Sequence, residues 1–150
     1  MLLNIRCNKQ LNHTEYKSIS HKGFSTIPLV FNLPEKVLDS GLKNIFIRLR
    51  NDNEYPYSNI FLIASLNIDG NPILQDTLEY AMAAPDGTWL GKGFREVKES
   101  KLWWKEGIEF PKSRPISINI SQAVRNNGNT RGIFNLKGII SVGISIENQE

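Results

Sequence analysis

Residues able to do chemistry are few in this chain, and their spacing assembles no catalytic constellation. Cys7 is the single cysteine, so it has no partner for an internal disulfide and no neighbour at metal-ligand spacing. The two histidines, His13 and His21, both precede the first expected strand, and without paired His or Cys no zinc site is expected. His13 is the one conceivable base near Cys7. Both fall in a polar stretch that reads as a tether, and a tether cannot hold nucleophile and base in hydrogen-bond geometry. No Gly-x-Ser-x-Gly elbow occurs.

Asp76, Glu79, Asp86 and Glu109 are the carboxylates on the middle strands and turns. Asp76 and Glu79 have opposite parity, which sets them on opposite faces of a regular strand. Glycoside hydrolysis needs two carboxylates flanking one bond, so solvated strand ends are the better reading. The run from Gly87 to Gly93 superficially resembles a phosphate loop. It lacks the preceding strand, the following helix and the Lys-Ser/Thr ending that give that motif meaning. A tight turn packing Trp89 is the better account.

Tyr55, Tyr57, Trp89, Trp103 and Trp104 form the candidate interaction surface, because all five lie in turns or irregular segments. Flat exposed rings stack on sugars or anchor interfaces at small rotamer cost. The competing reading makes them plugs at the ends of a core. Exposure of two of them on one patch would decide for the surface.

The elements that must position these residues follow from length and pattern. A chain of 150 residues, 40% hydrophobic and 22% charged, suits one domain with one core. The net charge of +3 is interleaved, as in Lys98-Glu99-Ser100-Lys101 and Lys105-Glu106. That is a solvated surface, not the clustered basic face of a nucleic-acid binder. No apolar run reaches the ~18–20 residues of a membrane helix. Met1 to Arg6 is too short for a signal-peptide core. Cys7 precedes the polar stretch Asn8 to Glu15, as a lipidated cysteine with a tether would; composition alone favours a tail cysteine.

Residues 1–20 are expected as an N-terminal tether and 21–150 as a single β-sandwich domain. Phe24 to Leu33 reads as the first strand, with Ile27, Leu29 and Phe31 on one face. Asn44 to Arg50 puts Ile45, Ile47 and Leu49 inward and Phe46, Arg48 and Arg50 outward. Leu49 to Leu62 reads as a central hairpin. Asn59 to Ile68 is a central strand, Asp69-Gly70-Asn71-Pro72 a turn, and Ile73 to Ala83 a strand. Glu96 to Trp104 is a strand or a loop; if extended, Trp103 and Trp104 take opposite faces. Ile116 to Ile120 alternates cleanly, and Ser121 is placed to cap a short helix through Arg125. Gly138 to Glu147 closes the chain, with Ile140, Val142, Ile144 and Ile146 inward. The expected fold is all-β: an antiparallel, jelly-roll-like sandwich of about eight strands with one short helix.

Several pieces, in order, resemble the gliding-motility lipoprotein GldH family. They are Leu49-Arg50-Asn51 with Tyr55-Pro56-Tyr57-Ser58-Asn59, then Asp76 to Tyr80, then Pro85 to Gly93. Phe110-Pro111, Ile120-Ser121-Gln122 with Arg125, and Val142 to Glu147 complete the set. The resemblance spans residues 14 to 147. It implies a non-enzymatic, membrane-anchored cell-envelope lipoprotein, periplasm-facing, in Bacteroidetes-type bacteria. Its partners would be other proteins of the gliding and type IX secretion machinery, with no cofactor, metal or nucleic acid. The family's mature chain begins at a lipidated cysteine, and Cys7 stands at that position. Ile5 and Arg6 precede it where a lipobox wants small residues. The expectation is therefore a start further upstream, a trimmed signal, or an unacylated Cys7. Two alternatives stay open: a carbohydrate-binding β-sandwich using the aromatic turns, and a small jelly-roll hydrolase with facing carboxylates.

Overall fold

The computed structural model describes residues 12–39, 41–93, 95–125 and 132–149. The strands are β1 (His13–Ser18), β2 (Phe24–Ser25), β3 (Leu29–Asn32), β4 (Lys43–Asn51) and β5 (Asn59–Ile68). They continue as β6 (Asn71–Ala81), β7 (Lys98–Ile108), β8 (Ile116–Gln122), β9 (Asn135–Leu136) and β10 (Ile139–Asn148). Two four-stranded sheets, β1-β10-β4-β7 and β3-β8-β5-β6, face each other, with β2-β9 as a small ribbon between them in sequence.

All pairings are antiparallel, and the chain folds as one long doubled-back ribbon. β5 pairs with β6, β4 with β7, β3 with β8, β2 with β9 and β1 with β10. Rolling that ribbon brings β4 beside β10 and β5 beside β8. This is the jelly-roll arrangement, in which one continuous hairpin supplies both sheets. The β5–β6 corner is a two-residue turn with Asp69 at φ 51° and Gly70 at φ 78°. Positive φ at both positions matches the right-handed twist of the flanking strands.

Alternation puts Ile45, Ile47 and Leu49 of β4 and Val142, Ile144 and Ile146 of β10 inward from one sheet. Ile60, Leu62, Ala64 and Leu66 of β5 and Ile118 and Ile120 of β8 meet them from the other. Each Ile, Leu and Val among them contributes roughly 1.5–3 kcal/mol by leaving water.

The structure departs from the sequence reading at several elements. Leu49 to Leu62 is not a hairpin, because β4 and β5 lie in different sheets. Both carry a core face, and those faces are satisfied by meeting across the sandwich. Residues 52–58 arch over its end, with Tyr55 buried beneath and its hydroxyl donating to the Asn59 carbonyl. The expected helix from Ser121 is absent; β8 runs to Gln122, and the one helical turn among the described residues is the 3-10 turn Glu35–Val37. Phe24 to Leu33 is broken around Pro28 into β2 and β3, leaving Ile27 exposed instead of sharing a face with Phe31. In β10 a register shift between Ile139 and Ser141 turns Ile139 inward and Ile140 outward. β1 occupies residues 13–18, inside the stretch expected as tether, while Cys7 lies outside the described residues.

Gly143 explains how β1 docks. A Cβ there would sit 2.6 Å from the Glu15 carbonyl oxygen and 2.7 Å from the Tyr16 ring. The missing side chain leaves room for Tyr16 to lie against the sheet.

Candidate interaction surface

The five aromatics named from sequence do not form one patch. Trp104 is buried at 6% exposure, and Tyr55 at 3%. Tyr57 packs edge-on against Tyr55 with centroids 5.9 Å apart, and Trp89 lies tilted 52° to Tyr55 at 6.2 Å. The Trp89 indole donates to Asn53 at 3.0 Å. These three rings close one end of the sandwich. Burial pushes the Tyr55 hydroxyl well above the usual phenol range, and the neighbouring Tyr57 adds to it. Trp103 stands apart from them, 48% exposed.

Trp103 and Trp104 take opposite faces as alternation predicts, and a bulge sharpens the separation. Phe46 opposes Trp103 and Ile45 opposes Lys105, so Trp104 is the extra residue. A bulge re-aims one side chain. Here it directs the indole Nε1 to Asp76, 3.0 Å away on β6. Lys105 Nζ reaches the same carboxylate oxygen at 2.9 Å. The Lys105 ammonium, then the Trp104 indole, hold the Asp76 carboxyl below its ordinary range. Tyr80 adds a third tie from β6 to β7, donating to the Trp103 carbonyl at 2.6 Å. Burial, then the Asp76 charge, raise the Tyr80 hydroxyl to about 12.

The other carboxylates take separate local roles. Glu79 points outward as its parity predicts, Asp86 accepts the Thr88 amide at 2.9 Å, and Glu109 is exposed. The Thr88 bonds lower the Asp86 carboxyl. Among the described residues no cluster of His, Cys, Asp or Glu has the arrangement to hold a metal ion. No described helix is long and apolar enough to cross a membrane.

Trp103 belongs to a different patch, the outer face of the β1-β10-β4-β7 sheet. Register sets Thr14, Ser145, Phe46 and Trp103 in one row, and Tyr16, Gly143, Arg48 and Lys101 in the next. Ser18, Ser141, Arg50 and Glu99 make the third. Phe46 and Trp103 pack edge to face at 5.1 Å. Lys101 sits 4.3 Å over the Phe46 ring and bonds Glu147 at 2.7 Å. The Arg50 guanidinium sits 4.0 Å over Tyr16, whose hydroxyl donates to Glu99. Burial and that hydrogen bond raise the Tyr16 hydroxyl. Arg48 approaches Glu99 at 3.6 Å, while its Nε is covered and lacks a hydrogen-bond partner. A cation over an exposed ring contributes about 0.5–1 kcal/mol. The face is thus a pre-ordered plate of rings and guanidinium groups. The sequence showed Phe46, Arg48 and Arg50 sharing an outward face and marked Tyr16 as an aromatic docking on the domain; its strand, and so its row, was hidden because the stretch read as tether.

Fold and faces together define an antiparallel jelly-roll domain that presents ordered side-chain surfaces. The chain belongs to the GldH lipoprotein family, whose description matches residues 12–146. It is 42% identical over 144 residues to a protein of Christiangramia forsetii named gliding motility lipoprotein GldH homolog, covering 96% of this chain and 88% of that one. It is 41% identical over 150 residues to the gliding motility lipoprotein GldH of Flavobacterium johnsoniae, covering 99% and 92%. Among solved structures, dimeric latent PorU from Porphyromonas gingivalis aligns at 8% identity with a TM-score of 0.37, over 92% of this chain and 13% of that one. So low a score carries no argument about fold or partner.

Proposed function

We propose that this chain is a lipid-anchored cell-envelope component of the gliding apparatus, working without catalysis through protein–protein contacts. The observation that carries the reading is the near full-length identity to a protein named for gliding motility, 41% over 150 residues. In this reading Cys7 bears the lipid, the residues after it form a short tether, and the β-domain faces the periplasm. Its contacts serve the type IX secretion system as well as movement. Trp103 with the Arg48, Arg50 and Lys101 plate is the contact surface, because rings and guanidinium groups are the side chains that most often dominate interface energetics. Tyr57 and Trp89 at the sandwich end are the second candidate surface, with Tyr55 supporting from beneath, while Trp104 serves the β6–β7 side.

The test is deletion of the gene in the native host, followed by complementation. Colony spreading and the secreted proteome are both measured. The expected outcome is loss of both and recovery with the wild-type gene. Trp103→Ala, expressed at normal level, restores them poorly. Cys7→Ser is found in the soluble fraction. Unchanged spreading and secretion after deletion would overturn the reading.

A further inference from the structure

The outer face of the other sheet, β3-β8-β5-β6, has a different chemistry. Register places Gln75, Ser65 and Asn119 side by side across β6, β5 and β8, and Thr77, Ile63 and Ser121 in the next row. Phe61 lies one row further along β5. Two depressions of about 620 Å³ and about 320 Å³ meet on Ile63 and Ser121. Together they form a groove that follows β5 from Phe61 to Asn67, roughly 20 Å at the rise of an extended strand.

Among the described residues, Arg125 at one end is the one charged side chain lining the two depressions, with Glu79 beside Phe61 in the row beyond them, although 22% of the chain is charged. An anionic ligand would leave most of its charge without a partner there, at high cost. The polar lining is instead hydroxyl and carboxamide, groups that both donate and accept. The Asn119 carboxamide oxygen is covered and has no hydrogen-bond partner. Such a group costs stability until it is paired, and turning into the groove toward a donor would pair it. Phe61 and Ile63 are half-buried and supply apolar floor, Ile63 at the centre of the second row and Phe61 just beyond it. An extended peptide fits less well. Its affinity comes largely from main-chain bonds to a free strand edge, and β5 and β8 are paired on both sides.

We propose that this groove is a binding site for a neutral glycan chain laid along β5. Gln75, Thr77, Asn119 and Ser121 bond sugar hydroxyls, while the Phe61 ring meets the C–H face of one sugar. The inference is independent of the gliding reading, since it concerns the opposite face of the sandwich and a different class of ligand.

The experiment titrates the purified full chain with hexasaccharides of glucose, mannose, xylose and N-acetylglucosamine. Polygalacturonate serves as the anionic comparison and an unstructured polar peptide as the peptide comparison. Calorimetry reads affinity and amide NMR reads location. At least one neutral saccharide binds, with shifts confined to residues 61–67, 75–77 and 119–122. Phe61→Ala and Thr77→Glu each weaken binding by about tenfold, what losing one net hydrogen bond or ring contact costs. Thr77 is exposed on an edge strand, so this variant keeps the fold even if Phe61→Ala does not. Trp103→Ala binds as wild type. Four outcomes would each overturn the proposal: no neutral saccharide binding, tighter binding of polygalacturonate or peptide, binding that survives Thr77→Glu, or shifts centred on Tyr57 and Trp89.

Discussion

The Trp104 indole on β7 donates to the Asp76 carboxylate on β6 across 3.0 Å, tying together the outermost strands of the two sheets. These two strands share no ladder, so the open side of the sandwich is held by side chains. An inward-pointing charge also discourages another chain from adding to the β6 edge. Trp104→Phe keeps the ring but removes the donor, and is expected to lower unfolding free energy by about 1–3 kcal/mol in urea titration. Trp104→Ala is expected to cost about 3–5 kcal/mol, because a cavity is added to the loss. The adjacent Trp103→Ala should cost no more than about 1.5 kcal/mol, the worth of its edge-to-face pair with Phe46.

Asp76 should also mark the acid limb of stability. Its folded-state pKa lies below the ordinary value of 3.8, held there by Lys105 and Trp104. A depressed carboxylate contributes stability that is fully present above its unfolded pKa and is lost as pH falls through its folded pKa. The stability difference between wild type and Asp76→Asn is therefore expected to be constant above about pH 5 and to shrink below pH ~4. Urea midpoints measured across that range check the sign. A difference that grows on acidification would contradict the assignment.

Gly143→Ala should displace β1 selectively. The added Cβ meets backbone of Glu15 and the ring of Tyr16, both on β1. Overpacking of this kind costs about 1–3 kcal/mol. Hydrogen exchange should quicken at residues 13–18 while the amides of β5 and β8 keep their protection. The Arg50 contact over Tyr16 should be lost with it, which makes this variant a structural probe of the outer plate.

Gln122 joins the end of β8 to the segment preceding β9. Its amide donates to the Ile133 carbonyl at 2.6 Å, and its carbonyl accepts the Val124 amide at 2.9 Å. Gln122→Leu leaves both backbone groups without these partners and is expected to cost at least about 1–3 kcal/mol. Exchange at residues 132–136 should rise before global unfolding is reached.

Alternation by itself determined the all-β class and the inward faces of β4, β5 and β8. Side chains in a strand point to opposite faces with period two, and burial of one face is a local property of the pattern. The Asp69-Gly70 turn was legible for the same local reason, since positive φ is a demand that few residues meet. The ordered resemblance to GldH was legible because it is carried by residue identity. What stayed hidden was everything decided between distant segments. Whether β4 pairs with β5 or faces it cannot be read from two apolar faces, because both solutions bury them; only the rolled ribbon separates the two strands into different sheets. His13 to Ser18 became a strand because β10 offers an edge and Gly143 offers room. Trp104 takes the face opposite Trp103 by alternation, but its bond to Asp76 was decided by the bulge in β7 and the placement of β6. The outer plate and the β5 groove are likewise products of register, which sets side chains from three or four strands into rows that no single segment contains.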